Sequence, residues 1–259
     1  MDSPGASKYY TTARSNYNKP GKYARTTQCT ARGRTFIPRT MGPLAQSESK
    51  YFDSYLEGAT LSETAAMSSK EVDPATLNTL FVPSEGSDID NRIGRKVSVY
   101  KICVKGYITI TGAESLSAVP AGQAVRVALV MDTQTNGTQL ASEEVFEIAG
   151  SPTVVNNINA FQNKANFGRF KVVRDKIYNL DYASSFNAAT TSTGAANMKP
   201  VKFKWTKKFK VPITVKFNGT NGGTIGDIVD NSFHLIAWSN SATFTKELSY
   251  MCRTYYKDY

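Results

Sequence analysis

The stretch from Val201 to Phe217, VKFKWTKKFKVPITVKF, constrains the fold more than any other part of the chain. Its odd positions, Val201, Phe203, Trp205, Phe209, Val211, Ile213, Val215 and Phe217, are apolar with Lys207 the exception, while the even positions include Lys202, Lys204, Lys208, Lys210 and Lys216. Alternation with period two predicts a half-buried β-strand. A helix is excluded because steps of three or four residues mix Phe and Lys on every face. One face enters a core; the other is a row of ammonium groups with no carboxylate among them. At about 3.3 Å per residue the stretch runs roughly 56 Å, several times an ordinary strand, so a bend or a division is expected. Pro212, which has no ladder donor, marks the expected break or an edge.

Strand patterns separated by turn residues fill the chain from Arg95 onward. In KVSVYKICVKGYITITG, residues Tyr100, Ile102, Val104, Ile108 and Ile110 share one face and Lys101 and Lys105 lie on the other. QAVRVALVMD (123–132) is almost continuously apolar, and the Asn136-Gly137 turn signal then leads to EEVFEIAG (143–150), also read as a strand. RFKVVRDKIYNLD (169–181), SFHLIAWSN (232–240) and ELSYMCRTYYKDY (247–259) complete about eight strands, with polar loops at 182–198 and at the Gly-rich 218–226. With no convincing helix between strands, a βαβ architecture is excluded and a sandwich or barrel is expected.

Charge divides the chain into three pieces. Residues 1–39 carry Lys8, Arg14, Lys19, Lys22, Arg25, Arg32, Arg34 and Arg39 against Asp2, a net +7. The bases alternate loosely with Tyr9, Tyr10, Tyr17, Tyr23 and Phe36, and aliphatic content is too low for independent folding. This predicts a disordered basic arm whose cations contact phosphates while its aromatics stack on bases. Residues 40–90 carry −7, with isolated anchors Tyr51, Phe52, Leu56, Leu77, Leu80 and Phe81, and read as an extended acidic segment lying over a domain. A short helix is expected near Pro74 to Leu80, with Asp73 as its N-cap. Residues 91–259 carry +10, equal to the net charge of the whole 259-residue chain. The expected organisation is therefore an arm at 1–39, an acidic segment at 40–94 and a β domain at 95–259. Nucleic acid or an anionic membrane is the partner such a balance suggests.

Candidate chemistry is sparse. His234 is the single histidine and reads as a satisfied or outward-facing strand residue rather than a catalytic base. Cys29, Cys103 and Cys252 form no Cys-x-x-Cys pair, so neither a disulfide framework nor a zinc site is expected. Cys103 and Cys252 fall in the first and last strands of the β domain, where pairing of those strands brings the thiols close. The Gly-rich 218–226 stretch lacks the Gly-Lys-Ser/Thr ending of a phosphate-binding loop. Neither an enzyme, a metal nor a cofactor is called for. No apolar run suggests a signal peptide or a membrane span, so a reducing compartment is expected, and the triplets at Asn136 and Asn218 read as chance glycosylation matches.

Several pieces then stand in a telling order: the basic Tyr/Arg arm, SKYFD at 49–53, NRIGRKVSVYKICVKGYITI at 91–110, VRVALVMDTQTNG at 125–137, FGRFKVVRDKIYNLD at 167–181, KFKWTKKFKV, and HLIAWSN with the closing SYMCRTYYKD. In this the chain resembles the capsid proteins of small circular single-stranded DNA viruses that encode a replication initiator, the group containing circoviruses and geminiviruses. The resemblance implies an all-β single jelly-roll sandwich of two four-stranded antiparallel sheets, with first and last strands side by side and the Lys202 to Lys210 strand at an edge. It further implies a homo-oligomer of 60 copies or a multiple, closed into an icosahedral shell around a single-stranded DNA genome. Location in the virion, and in the host nucleus during assembly, follows from the same resemblance. Lys202, Lys204, Lys208 and Lys210 join the eight arm cations as expected DNA contacts. The competing expectation is a stand-alone single-stranded nucleic-acid-binding β protein that forms no shell.

Overall fold

In the computed structural model the alternating stretch forms one strand along its whole length. The structure describes residues 48–61, 73–74, 76–111, 123–147, 158–180, 200–219, 222–240 and 245–258. Its elements are β1 (Ser49–Leu61), β2 (Lys96–Thr111), β3 (Gln123–Asp132), the single helical turn α1 (Ser142–Val145), β4 (Phe170–Leu180), β5 (Val201–Phe217), β6 (Ile228–Asp230), β7 (Ser232–Ser239) and β8 (Thr245–Asp258). The 1–39 arm and its eight cations lie outside the described residues.

The strands make two antiparallel sheets, one of five strands in the order β1-β8-β2-β5-β6 and one of three in the order β4-β3-β7. The expected four-and-four division is thus five and three. β6 adds a short edge to the first sheet through Lys216 and Phe217. Beside β7, Leu80 N–H donates to Phe233 O at 2.8 Å, so the backbone near residue 80 occupies the free side of that strand.

The main core lies between the sheets. Val97, Val99, Ile102, Val104, Phe203, Trp205, Leu248 and Tyr256 face Val125, Val127, Leu129, Phe233 and Leu235 across it. β2 keeps both Val97 and Ile102 inside because the ladder shifts between Val99 and Lys101. Such a bulge reverses the in-out parity of the strand. Tyr100, expected on the apolar face with Ile102, therefore pairs with Tyr255 outside the core, their rings 6.2 Å apart. Gly106 of β2 has no room for a side chain, since an added Cβ meets the Phe203 ring at 2.7 Å.

A second cluster covers the far face of the three-stranded sheet, where Ala128, Val130, Ile236 and Trp238 pack against Leu140, Val145, Phe146, Ala160 and Phe170. Residues 143–150 are accordingly not a strand over their described part. Glu143 and Glu144 occupy the first turn of α1, and Val145 and Phe146 drop from its end onto the sheet. The Asn136-Gly137 signal does form a turn, with φ of +48° and +72°, but its amides bond to Val229 O and Ile228 O rather than closing a hairpin to the next strand.

The acidic segment is part of the fold rather than a covering. β1 pairs with β8 from Ser49↔Lys257 to Leu61↔Lys246. Leu80 and Phe81 are fully buried, and the compact unit begins at Glu48 rather than near residue 95. The helix expected at 74–80 is a single turn, with the amides of Leu77 and Asn78 donating to Pro74 O and Asn78 at φ +55°. Left-handed backbone at that point stops further helical growth.

Candidate nucleic-acid interface

The outer face of the five-stranded sheet carries four of the twelve cations that the sequence singles out. Lys202, Lys204, Lys208 and Lys210 of β5 are all exposed. The β2–β5 register places Lys204 opposite Lys105 and Lys208 opposite Lys101. Among the described residues no carboxylate comes within ion-pair distance of these six lysines, whereas Lys216 is held by Asp230 at 2.5 Å.

Pro212 interrupts the ladder without ending the strand. Pairing passes from Val99↔Ile213 directly to Lys101↔Lys208, so residues 209–212 loop out opposite Tyr100. Phe209 uses this excursion to reach the Phe233 ring at 5.9 Å, and Val211 is left exposed beside the proline. From Val201 to Lys208 β5 is paired on its β2 side only, so within the described residues its other side is open. Lys207 points inward by pleat yet is exposed at that open edge, an arrangement that discourages unwanted strand addition.

Across the seam from the lysines the face turns aromatic. Met251 lies beside Lys105 on β8, and Tyr55 lies beside Met251 on β1. Tyr255 lies beside Lys101, whose ammonium sits 4.2 Å from the ring centroid. Arg253, between these two rows, is committed to Asp53 by paired bonds of 2.6 and 2.5 Å and covers the Tyr51 ring at 4.5 Å. The hydrogen bonds to Asp53 hold its guanidinium pKa above the ordinary value.

Cys103 and Cys252 do lie on paired strands, as expected, but Cys252 is opposite Val104 while Cys103 is opposite Arg253. They therefore point to opposite faces, Cys252 into the core and Cys103 outward toward Thr206 Oγ1 at 3.6 Å, and both are free thiols. Burial pushes the Cys252 thiol up to about 12.

His234 is fully buried and held at both ring nitrogens. Its Nδ1 is 2.6 Å from Asp73 Oδ2, and its Nε2 is 2.7 Å from Ser232 Oγ, which accepts a bond from Thr135 Oγ1 at 2.7 Å. Asp73, expected as a helix cap, instead joins the edge of β7: its Oδ1 accepts from Leu235 N–H at 2.9 Å. The order Asp-His-Ser matches that of hydrolytic triads. Here Ser232 is 1% exposed and Asp73 6%, so the chain of bonds is closed off from solvent and ties Asp73 to β7. Burial raises the pKa of nearby Tyr250 well above its ordinary value, and the Asp73 charge adds to the effect.

Sequence reasoning placed Lys101 and Lys105 on the polar side of their strand without assigning them to the site, and it missed Tyr55, Tyr107 and Met251. The alternation of KICVKGY carried the signal for the lysines; only register could reveal the others. Among the described residues no group of three His, Cys, Asp or Glu side chains is placed to hold a metal, and no helix is long and apolar enough to cross a membrane. No known protein-family model matches the chain, and neither does any curated protein.

Proposed function

We propose that this chain is the capsid subunit of a small circular single-stranded DNA virus, a single jelly roll that assembles into an icosahedral shell and packages its genome through the basic arm and the lysine face. Strand order is the observation that carries the reading. The larger sheet runs β1-β8-β2-β5-β6 and the smaller β4-β3-β7, and a backbone bond from Leu80 N–H to Phe233 O brings the 79–82 segment to the free side of β7. With 79–82 taken as a further strand beside β7 and β6 as an edge extension, this interleaving supports the nested Greek keys of a jelly roll, an arrangement common in viral coats. The fold alone does not assign a function, because lectins and cupins share it. The uncompensated lysine face and the +7 arm supply the preference for nucleic acid. Phe161, Phe167 and Val211, between 66% and 80% exposed, are the apolar points offered to neighbouring subunits.

Negative-stain microscopy with size-exclusion chromatography of the purified chain tests the shell. Particles tens of nanometres across are expected; a persistent monomer would favour the stand-alone single-strand binder, a reading that the same lysine and tyrosine face supports. Deleting residues 1–39 tests the arm. Eight phosphate contacts give a log-log salt slope for single strands of at most about −6, and an unchanged affinity across a salt series after the deletion would remove the arm from the mechanism.

A further inference from the structure

The lysines of β5 have an ordinary explanation as guards of an open edge. Lys101 and Lys105 do not, because β2 is an interior strand, bonded to β5 on one side and β8 on the other. Their partners across the seam, Lys208 and Lys204, repeat the same charge. Like charges directly opposite each other weaken a sheet. Nothing in the core requires them, since these side chains point away from it. The rest of the face is also unusual, with Tyr55 67% and Met251 50% exposed on β1 and β8, and Tyr107 45% exposed at the end of the lysine seam.

The register arranges these residues in rows across the sheet. One row runs Tyr55, Met251, Lys105, Lys204; another runs Tyr51, Tyr255, Lys101, Lys208. Tyr107 stands beside Lys202 at the end of the face. Adjacent strands are about 4.8 Å apart, so each row places aromatic or thioether surface one to two strand spacings from a pair of ammonium groups. The row between them, Asp53, Arg253, Cys103 and Thr206, is neutralised internally by the Asp53–Arg253 pair.

We propose that this face is a two-lane site for one single nucleic-acid strand, phosphates along the β2–β5 lysine seam and bases on Tyr107, Met251 and Tyr55, and that an occupied face stabilises the sheet by relieving the Lys–Lys repulsion of the empty one. The inference rests on reading the lysine face as a nucleic-acid contact, and adds the lane for the bases and the coupling to stability. Unstacked bases are the partner that uses both lanes: every base has a face that stacks on an aromatic ring, and a backbone of phosphates accompanies it. A duplex keeps its bases inside and would engage the lysine lane alone.

Thermal melting of the full chain, alone and with oligo-dT, with a duplex of equal phosphate number and with phosphatidylserine vesicles, tests this. Ligand that binds only the folded state raises the melting temperature. Oligo-dT is expected to raise it more than the duplex does. Lys105→Glu, and independently Lys204→Glu, is expected to raise the melting temperature of the free chain and to shrink the oligo-dT shift, because one repelled pair becomes attractive. Tyr107→Ala and Met251→Ala are expected to weaken oligo-dT binding by about fivefold or more each while leaving duplex binding unchanged, as loss of a stacking surface does. All variants retain the arm, so its contribution cancels. An oligo-dT shift in both charge variants equal to that of the unsubstituted chain overturns the site, and an equal shift with duplex overturns the lane for bases. Stabilisation by vesicles without stabilisation by oligo-dT assigns the face to a membrane and overturns the proposal. Particle formation is scored on the same preparations: these shifts in a chain that forms no particles support the site and overturn the shell.

Discussion

The two sheets solve the same problem differently. β3 and β7 bury every residue, because the inter-sheet core takes one side and the cluster around Phe146, Phe170 and Trp238 takes the other. β5 and β2 bury one side only, and their other side carries lysines. A doubly covered sheet needs apolar residues at every position, whereas a singly covered one leaves alternate positions free of packing demands. The choice of residue at those free positions then reflects solubility, edge protection or binding. Arg126 shows how the covered sheet handles charge: its guanidinium stacks on Phe146 at 4.5 Å and Trp238 at 5.0 Å, and bonds to Asp175 and to the Ile158 and Ala160 carbonyls. Four of its five N–H donors thus have a named acceptor. Lys105, Lys202, Lys204, Lys208 and Lys210 on the bare face have no carboxylate within ion-pair distance among the described residues, which makes them available.

The largest test of this contrast is Trp238→Ala. Emptying a fully buried site in the doubly covered sheet is expected to cost about 3–5 kcal/mol in urea unfolding, and a cost below about 1 kcal/mol would mean that the second cluster does not seal the sheet. Next comes the internal clamp. Asp73→Ala strips the acceptor from both His234 and Leu235 N–H, so a loss of about 1–3 kcal/mol is expected. His234→Ala should cost a similar amount, and the double variant less than the sum, as residues of one network do. Additive losses would show the two groups acting separately.

Alkaline titration separates core groups from surface lysines. Burial raises Cys252 from 9.0 to about 12 and also raises Tyr178 and Tyr256, so the folded state holds protons that the unfolded chain releases first. Their contribution is complete below the unfolded pKa values. It declines as pH rises from about 9 toward 12. Equilibrium unfolding at a series of pH values should show stability falling across that window, and a rise there would contradict the burial of these groups. The smallest effect belongs to the bare face, where Lys208→Ala is expected to change stability by no more than about 0.5 kcal/mol. A larger loss in the same unfolding assay would reveal a packing role for that side chain.

Much of this was legible in local pattern. The strict alternation of 201–217, the continuous apolar run of 123–132 and the strands at 96–111, 170–180, 232–239 and 245–258 follow from side-chain periodicity, which a strand imposes on neighbouring residues. Other features were not. SKYFDSYLEGATL lacks clean alternation, because Tyr51 and Tyr55 stand on the bare face, so β1 passed for an extended acidic segment. EEVFE imitated a strand, since Val145 and Phe146 are apolar for a reason supplied by β3 and β7 rather than by their own backbone.

The sequence by itself determined that the chain is built from strands, that β5 has one apolar and one cationic side, and that its charge lies in separate blocks. These are consequences of spacing along the backbone, which needs no partner to be read. Tertiary structure alone decided the rest: Asp73 reaches His234 across 161 positions, Lys105 meets Lys204 rather than an acid, and Cys103 turns its back on Cys252 by one residue of register. Such pairings depend on which strands lie side by side and in what register. That choice is made by burial of the whole core at once, and no local window of residues contains it.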